Sequence, residues 1–266
     1  MRIKNYVRPH TLEEAYRIIS ENERAVVLGG GSFLRLSFKE IDTVVDLQNV
    51  GLDFIEEKED AVDIGSMVTL GELERNDVLK KLYRGYIPRF VGIIWSVQLR
   101  NIATVGGTIF PKWGFSDFIT GLLALNVDVH LYKSGKMKLE DFLKTKIGKD
   151  ILVKVSIKKE RRETSFQFLR NSLYDFSLLN LSLSCKKGKD FKLAVGARPG
   201  VAKPAKKTVE FLNSVDEPFK HLKRATGILL SEIEFGDDFR ASGEYRKHLA
   251  GVLFKRALEE VLNYEG

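Results

Sequence analysis

The first clear pattern in the chain is helical. Leu12, Ala15, Tyr16 and Ile19 recur at the spacing of one helix face. Thr11 and Glu14 stand where a capping box places its two members, each side chain reaching the other's backbone N–H, so the pattern predicts a helix over 12–21. Short unbroken apolar runs at 25–28 and 43–47 read as buried strands, and the N-terminal segment as a small βαβ-like unit. A strand at 61–66 ends in a turn, and Thr69 opens a helix running towards Leu79. A buried helix is expected over 90–99 and another over 118–125, whose N-terminus Asp117 caps or flanks. Strands follow at 127–132, with a hairpin turn at Ser134-Gly135-Lys136, and at 151–157. Beyond Arg161 the pattern shifts to strands at 166–170, 178–185 and 191–195, with Gly188 in a turn, an antiparallel meander. Helices at 206–212, 219–230 and 244–262 close the chain, the last with Ser242 as N-cap. The order of elements is that of an α+β protein.

Two glycine-rich stretches interrupt this pattern. Leu99-Arg100-Asn101-Ile102-Ala103-Thr104-Val105-Gly106-Gly107-Thr108-Ile109 reads as a buried loop, with Gln98, Arg100 and Asn101 as polar groups that fix it. Its glycines admit close approach of a backbone or a ligand, and with Thr104 and Thr108 they offer free N–H and hydroxyl donors suited to a phosphate. A tight turn in a packed sheet is the other reading of the same residues. The strand at 25–28 empties into Gly29-Gly30-Gly31-Ser32, a second donor-rich loop, and the pair suits a clamp on a dinucleotide pyrophosphate. A Rossmann fingerprint is not met: Leu34 stands where the third glycine belongs, and 33–39 lacks the long amphipathic helix, although Asp46 lies near the place of a ribose-binding acid. No Gly-Lys-Ser/Thr follows, which excludes a Walker A loop.

Composition narrows the chemistry. The 266 residues are 44% hydrophobic, ample for one or two domains with a real core. No run of about 18 apolar residues suggests a membrane span. The N-terminus lacks a signal-peptide core, and the single cysteine, Cys185, fits a reducing, cytoplasmic setting. One thiol cannot form a disulfide within the chain or a four-thiolate cluster, and it is expected as inert core. The net charge of +7 gathers largely between Lys133 and Lys207. Aromatics do not interleave with these basic residues as a stacking platform requires, so nucleic acid is not the expected partner; a basic nucleotide- or RNA-binding module without redox activity remains the alternative from another class. His10, His130, His221 and His248 are scattered, with no H-E-x-x-H pair, and no G-x-S-x-G elbow occurs. No catalytic residue and no metal ligand set is identified, which fits a protein whose cofactor carries the chemistry.

The Gly29–Ser32 loop, the Gln98-x-Arg100-Asn101-x-Ala103-Thr104-x-Gly106-Gly107 string and Asp117 after it resemble the FAD-binding subunit of molybdenum hydroxylases, the group of xanthine dehydrogenase and aerobic carbon monoxide dehydrogenase. The resemblance extends to Ile64-Gly65…Thr69…Glu72-Leu73, to Leu139-Glu140-Asp141-Phe142, and to the C-terminal string from Asp238 to Arg246 with Lys255-Arg256-Ala257-Leu258. It implies a PCMH-type FAD-binding domain of two α/β subdomains over 1–160 and a C-terminal domain of antiparallel sheet plus helices over 161–266. It further implies that Val26, Val27, Leu28, Gly29, Gly30, Gly31, Ser32 and Phe33 line the FAD pyrophosphate, and that Thr104, Val105, Gly106, Gly107 and Thr108 close over it. Asp117 would meet the polar side or ribityl region of the flavin and Ile94 its ring, with Leu152 and Arg170 peripheral. The implied partners are a molybdopterin-binding large subunit and a 2Fe-2S small subunit, with NAD, oxygen or another molecule as acceptor. Four positions depart from the family pattern and bear on the ring environment: Arg170 for a common lysine, Thr108 for the usual asparagine, and Trp113 and Phe115 where small residues are common.

Overall fold

In a computed structural model, which describes residues 2–34 and 40–263, the chain forms two units, each assembled from three separate segments. The first takes Met1–Arg75, Ser96–Pro111 and Val127–Lys159; the second takes Asn76–Trp95, Lys112–Asn126 and Glu160–Gly266.

The first unit holds two sheets. Strands β1 (Arg2–Val7), β2 (Ala25–Leu28) and β3 (Glu40–Asp46) pair in parallel in the order β1-β3-β2. β1 was not foreseen: its side chains are almost all exposed, so it carries no apolar signal. The predicted helix is Leu12–Glu21, and it buries Ala15 and Ile19 against Val45 and Leu47. Its capping is offset from the capping-box expectation. Thr11 accepts from the Glu14 N–H at 3.1 Å, but the Glu14 carboxylate accepts from the His10 N–H at 3.0 Å, one residue earlier than the box requires. The other sheet contains β4 (Ile55–Glu57), β5 (Ala61–Gly65), β6 (Val127–Leu131), β7 (Gly135–Lys138) and β8 (Leu152–Lys158), antiparallel in the order β4-β5-β8-β6-β7. Period-two alternation buries Val62, Ile64, Val129, Val155 and Ile157 on one face and sets Asp63, Lys154, Ser156, Asp128 and His130 on the other.

Two predicted helices are each divided by a polar cap. The helix from Thr69 towards Leu79 ends at Arg75; Asn76 then accepts from the N–H groups of Val78 and Leu79 and starts a new helix, Asp77–Lys81. The helix expected over 90–99 is Tyr86–Gly92 followed, after a turn, by Val97–Ile102 with Ser96 as N-cap.

In the second unit, β9 (Glu163–Leu169), β10 (Leu179–Lys186), β11 (Lys189–Gly196) and β12 (Lys203–Pro204) form the expected antiparallel meander. β10 is buried on both faces. Leu179, Leu181, Leu183 and Cys185 face the core shared with the last helix, Gly243–Asn263. Asn180, Ser182 and Ser184 face the helix Asp117–Leu123, where the two serine hydroxyls donate to Thr120 O (2.6 Å) and Ala124 O. Those carbonyls lie in the last turn and at the C-cap of that helix, so the serines of β10 are answered by protein rather than water. Helices Lys206–Ser214 and Leu222–Glu232 pack on the same core, and Ser242 caps the last helix through the Tyr245 N–H, as expected. Among the described residues no helix is long and apolar enough to cross a membrane.

Candidate functional site

The glycine segments of the first unit meet each other. At the end of β2 the chain turns through Gly30 and Gly31, both with positive φ (72° and 74°). Gly29 lies against Gly107: a Cβ on Gly29 would stand 2.6 Å from the Gly107 Cα, and one on Gly107 would overlap the Gly29 carbonyl. A Cβ on Gly30 would overlap the Ile102 carbonyl, and one on Gly106 would stand 2.9 Å from the Ser66 Cβ. Glycine is required at these positions by close backbone approach.

The central stretch differs from its sequence reading. It is not a loop. Val105–Ile109 is a short helix with Thr104 as N-cap, its hydroxyl accepting from the Gly107 N–H at 3.1 Å. The glycine N–H groups here are therefore not free donors. Val105 N–H goes to Val68 O and Gly106 N–H to Ser66 O, and the Thr108 hydroxyl donates to Thr104 O at 2.8 Å. Arg100 fixes the preceding helix as expected, with a two-pronged pair to Glu74 (2.8 and 3.1 Å), and Asn101 accepts from Arg75 at 3.3 Å; Gln98 is exposed. Free donors lie instead on the first loop: among the described residues, the N–H groups of Gly30 and Gly31 have no protein acceptor. The expectation that no helix follows this loop falls, for 35–39, outside the described residues.

Beside the contact lies a cavity of about 320 Å³, within the size range of small-molecule sites. Val26, Val27, Leu28, Gly29, Thr104, Gly106, Gly107 and Leu152 line it, all named from sequence. Gly30, Gly31, Ser32, Phe33, Val105 and Thr108 belong to the same two segments but are not in its wall. Sequence reading missed Ile19, Leu47, Ser66, Met67, Lys149 and Asp150, which join the wall from distant segments. Ser66 had one signal, its place at the strand-ending turn after Gly65. Its hydroxyl is buried and, among the described residues, has no hydrogen-bond partner. The Asp150 carboxylate, by contrast, accepts from Lys133, Ser134 and Ile151 N–H groups and from the Ser134 hydroxyl.

The other sequence-named residues belong to the second unit. Ser116, not Asp117, caps the helix Asp117–Leu123, accepting from the Ile119 N–H at 3.1 Å. Asp117 is the first helical residue and is buried. Its Oδ2 accepts from Arg170 Nη2, and its Oδ1 from Ser177 Oγ and Asn180 Nδ2, each at 2.6 Å. Arg170 Nη1 donates to Ile93 O at 2.7 Å, beside the half-buried Ile94. Arg170 is thus the partner that joins Asp117 to the turn carrying Ile94. Trp113 and Phe115 stack at 5.5 Å between centroids, and Phe115 meets Phe176 at 4.3 Å.

His10, His221 and His248 are exposed. His130 lies 2.9 Å from Ser156 Oγ, which donates to Asp63 at 2.5 Å; Lys154 pairs with the other Asp63 oxygen at 2.6 Å. Burial, then the Lys154 charge, pushes the His130 pKa below its ordinary value. Burial works to raise the Asp63 pKa, but the Lys154 and Ser156 hydrogen bonds outweigh it and hold the carboxyl low. Cys185 is fully buried.

Comparison with known proteins adds a family. The profile of the FAD binding domain in molybdopterin dehydrogenase matches residues 1–157, and that of the CO dehydrogenase flavoprotein C-terminal domain matches 164–261. The glyceraldehyde dehydrogenase medium chain of Sulfolobus acidocaldarius is 26% identical over 97% of this chain and 98% of its own. The nicotine 6-hydroxylase medium subunit of Paenarthrobacter nicotinovorans is 25% identical over 96% of each chain. Among solved structures, a carbon monoxide dehydrogenase from Hydrogenophaga pseudoflava that lacks the Mo-pyranopterin moiety of its cofactor shares the fold with a TM-score of 0.90 at 18% identity, covering 99% of this chain and 98% of that one. Quinoline 2-oxidoreductase from Pseudomonas putida 86 superposes at 0.88 with 19% identity over the same shares.

Proposed function

The chain belongs to the family of FAD-binding subunits of molybdenum hydroxylases, the flavoproteins of the xanthine and carbon monoxide dehydrogenase group, and from that membership we propose that it relays electrons from the iron–sulfur clusters of a partner subunit to an external acceptor. It is an oxidoreductase subunit and its cofactor is FAD. When bound, FAD supplies a centre that takes up and releases electrons singly or in pairs. The chain's own part is to bind, orient and shield.

The residues fit the group. Gly30 and Gly31 offer N–H donors that have no protein acceptor among the described residues, as an anionic pyrophosphate needs. The glycine-walled cavity takes the AMP half, with apolar walls suited to a planar heterocycle. In the second unit, Asp117 has three donors on its carboxylate, which leaves acceptor capacity for one more on the flavin's polar side. Arg170 holds the Asp117 carboxylate in place.

The observation that carries this reading is the backbone contact of the two glycine segments beside the cavity. The partners are a molybdopterin-binding large subunit and a 2Fe-2S small subunit, in keeping with the names of relatives called medium chain or medium subunit. With Cys185 as its single thiol, this chain cannot supply four cysteine ligands for a cluster of its own. The acceptor is NAD, oxygen or another molecule, and the setting is cytoplasmic. The RNA-binding alternative is not favoured, since flavoprotein profiles account for 1–157 and 164–261.

The test is native expression with the neighbouring subunits, purification of the complex and separation of the chains. The separated chain should carry about one FAD, neither iron nor molybdenum, and no hydroxylase activity. A wild-type apoprotein that takes up no FAD on titration, or stoichiometric iron in the isolated chain, overturns the reading.

A further inference from the structure

Ser66 is 2% exposed, and its hydroxyl has no hydrogen-bond partner among the described residues, yet it stands in the wall of the cavity. Its backbone is held on both sides: its N–H donates to Val153 O at 2.9 Å, and its carbonyl accepts from the Gly106 N–H at 2.8 Å. Only the side-chain torsion is left free, with three staggered positions. The absence of a Cβ on Gly106 leaves room for the hydroxyl beneath it.

The other polar side chains of the wall each have a protein partner. Thr104 Oγ1 accepts from Gly107, Lys149 donates to Asn22 O, and the Asp150 carboxylate takes four donors. Ile19, Val27, Leu47, Met67 and Leu152 supply apolar surface. Buried hydroxyls are nearly always satisfied, and one left without a partner in a wall whose other polar side chains each have one marks the place where a ligand's polar atom belongs.

We infer that the Ser66 hydroxyl hydrogen-bonds the AMP half of FAD in this cavity and is a specificity-determining contact for the dinucleotide. The inference rests on the proposed function, and it assigns a role to a residue outside the glycine segments. AMP presents ring nitrogens and ribose oxygens that can accept from a hydroxyl, whereas the apolar walls contribute area without direction.

The experiment compares wild type with Ser66→Ala and Ser66→Gly as apoproteins, titrated with FAD and, separately, with ADP as a probe of the AMP half. Both substitutions should weaken FAD and ADP by a similar factor, about tenfold. The melting temperature of the Ser66→Ala apoprotein should stay level or rise, because the substitution removes an unsatisfied buried hydroxyl. Unchanged FAD affinity overturns the inference. So does a loss seen with FAD but not ADP, which would put the hydroxyl on the flavin half, or a lowered apoprotein melting temperature in Ser66→Ala, which would make the hydroxyl structural. In all three cases wild type still binds FAD and the proposed function stands; a wild type that binds none removes both.

Discussion

The glycine contact of the first unit and the Asp117 cluster of the second solve the problem of a polar site in opposite ways. In the first, side chains are absent: Gly29 and Gly107 bring two backbones together, and the polar atoms are amides. In the second, the backbone keeps its distance and four side chains, Asp117, Arg170, Ser177 and Asn180, bond to one another. The first arrangement fails when an atom is added, the second when one is taken away. Each therefore has its own decisive substitution.

The largest effect is expected from removing the carboxylate. Asp117→Ala leaves Arg170, 7% exposed in its side chain, as an uncompensated buried charge, and should lower stability by about 3–5 kcal/mol, read from the denaturant midpoint. A near-neutral result would show that Ile93 O and Ser177 suffice for Arg170 and would dissolve the contrast. Next is the added atom. Gly30→Val puts a branched side chain at φ 72° and into the Ile102 carbonyl, which should cost about 3 kcal/mol and abolish FAD retention. Full flavin content in this variant would mean that the first loop does not hold the cofactor.

The smallest effect sharpens the comparison by asking whether burial, rather than the kind of site, sets the energy. The Asp63–Lys154–Ser156–His130 cluster also consists of side chains but is only partly buried. The His130 pKa is lowered in the folded state from 6.5, so the unfolded chain binds more protons just below that pH. Stability should therefore fall as pH drops from 6.5 towards the lowered folded value, and Asp63 adds a loss of the same sign below 3.8. His130→Gln should flatten the upper part of the melting-temperature profile, by under about 1 kcal/mol. An unchanged profile would assign the acid sensitivity to other groups.

Much of this was legible before any coordinates. The helix after Thr11, strand β2 and the C-terminal meander follow from periodicity, and the glycine segments stood out because glycine is costly unless something needs its missing Cβ. What they meet was not legible. Gly106 and Gly107 are poor helix formers, so the stretch read as a loop, and the one contrary signal was Thr104 in an N-cap position. Asn76 and Ser96 hid inside apolar periodicity that continues through them, and each caps the start of a new helix. Ser66, Lys149 and Asp150 reach the cavity wall from segments far apart in the chain, which local pattern does not report. Asn180 was invisible because alternation along β10 suggests a wet face, whereas that face is covered by the helix Asp117–Leu123.

The threading of the chain through its two units has a consequence for biosynthesis. The first unit draws its last segment from Val127–Lys159, and the second begins at Asn76 and needs residues to the C-terminus. On the ribosome neither can close as an independent N-terminal domain: the five-stranded sheet waits for β8, and Asp117 emerges well before Arg170, Ser177 and Asn180, the groups that answer its charge. Long-range pairing of this kind slows folding and leaves apolar surface open for most of translation.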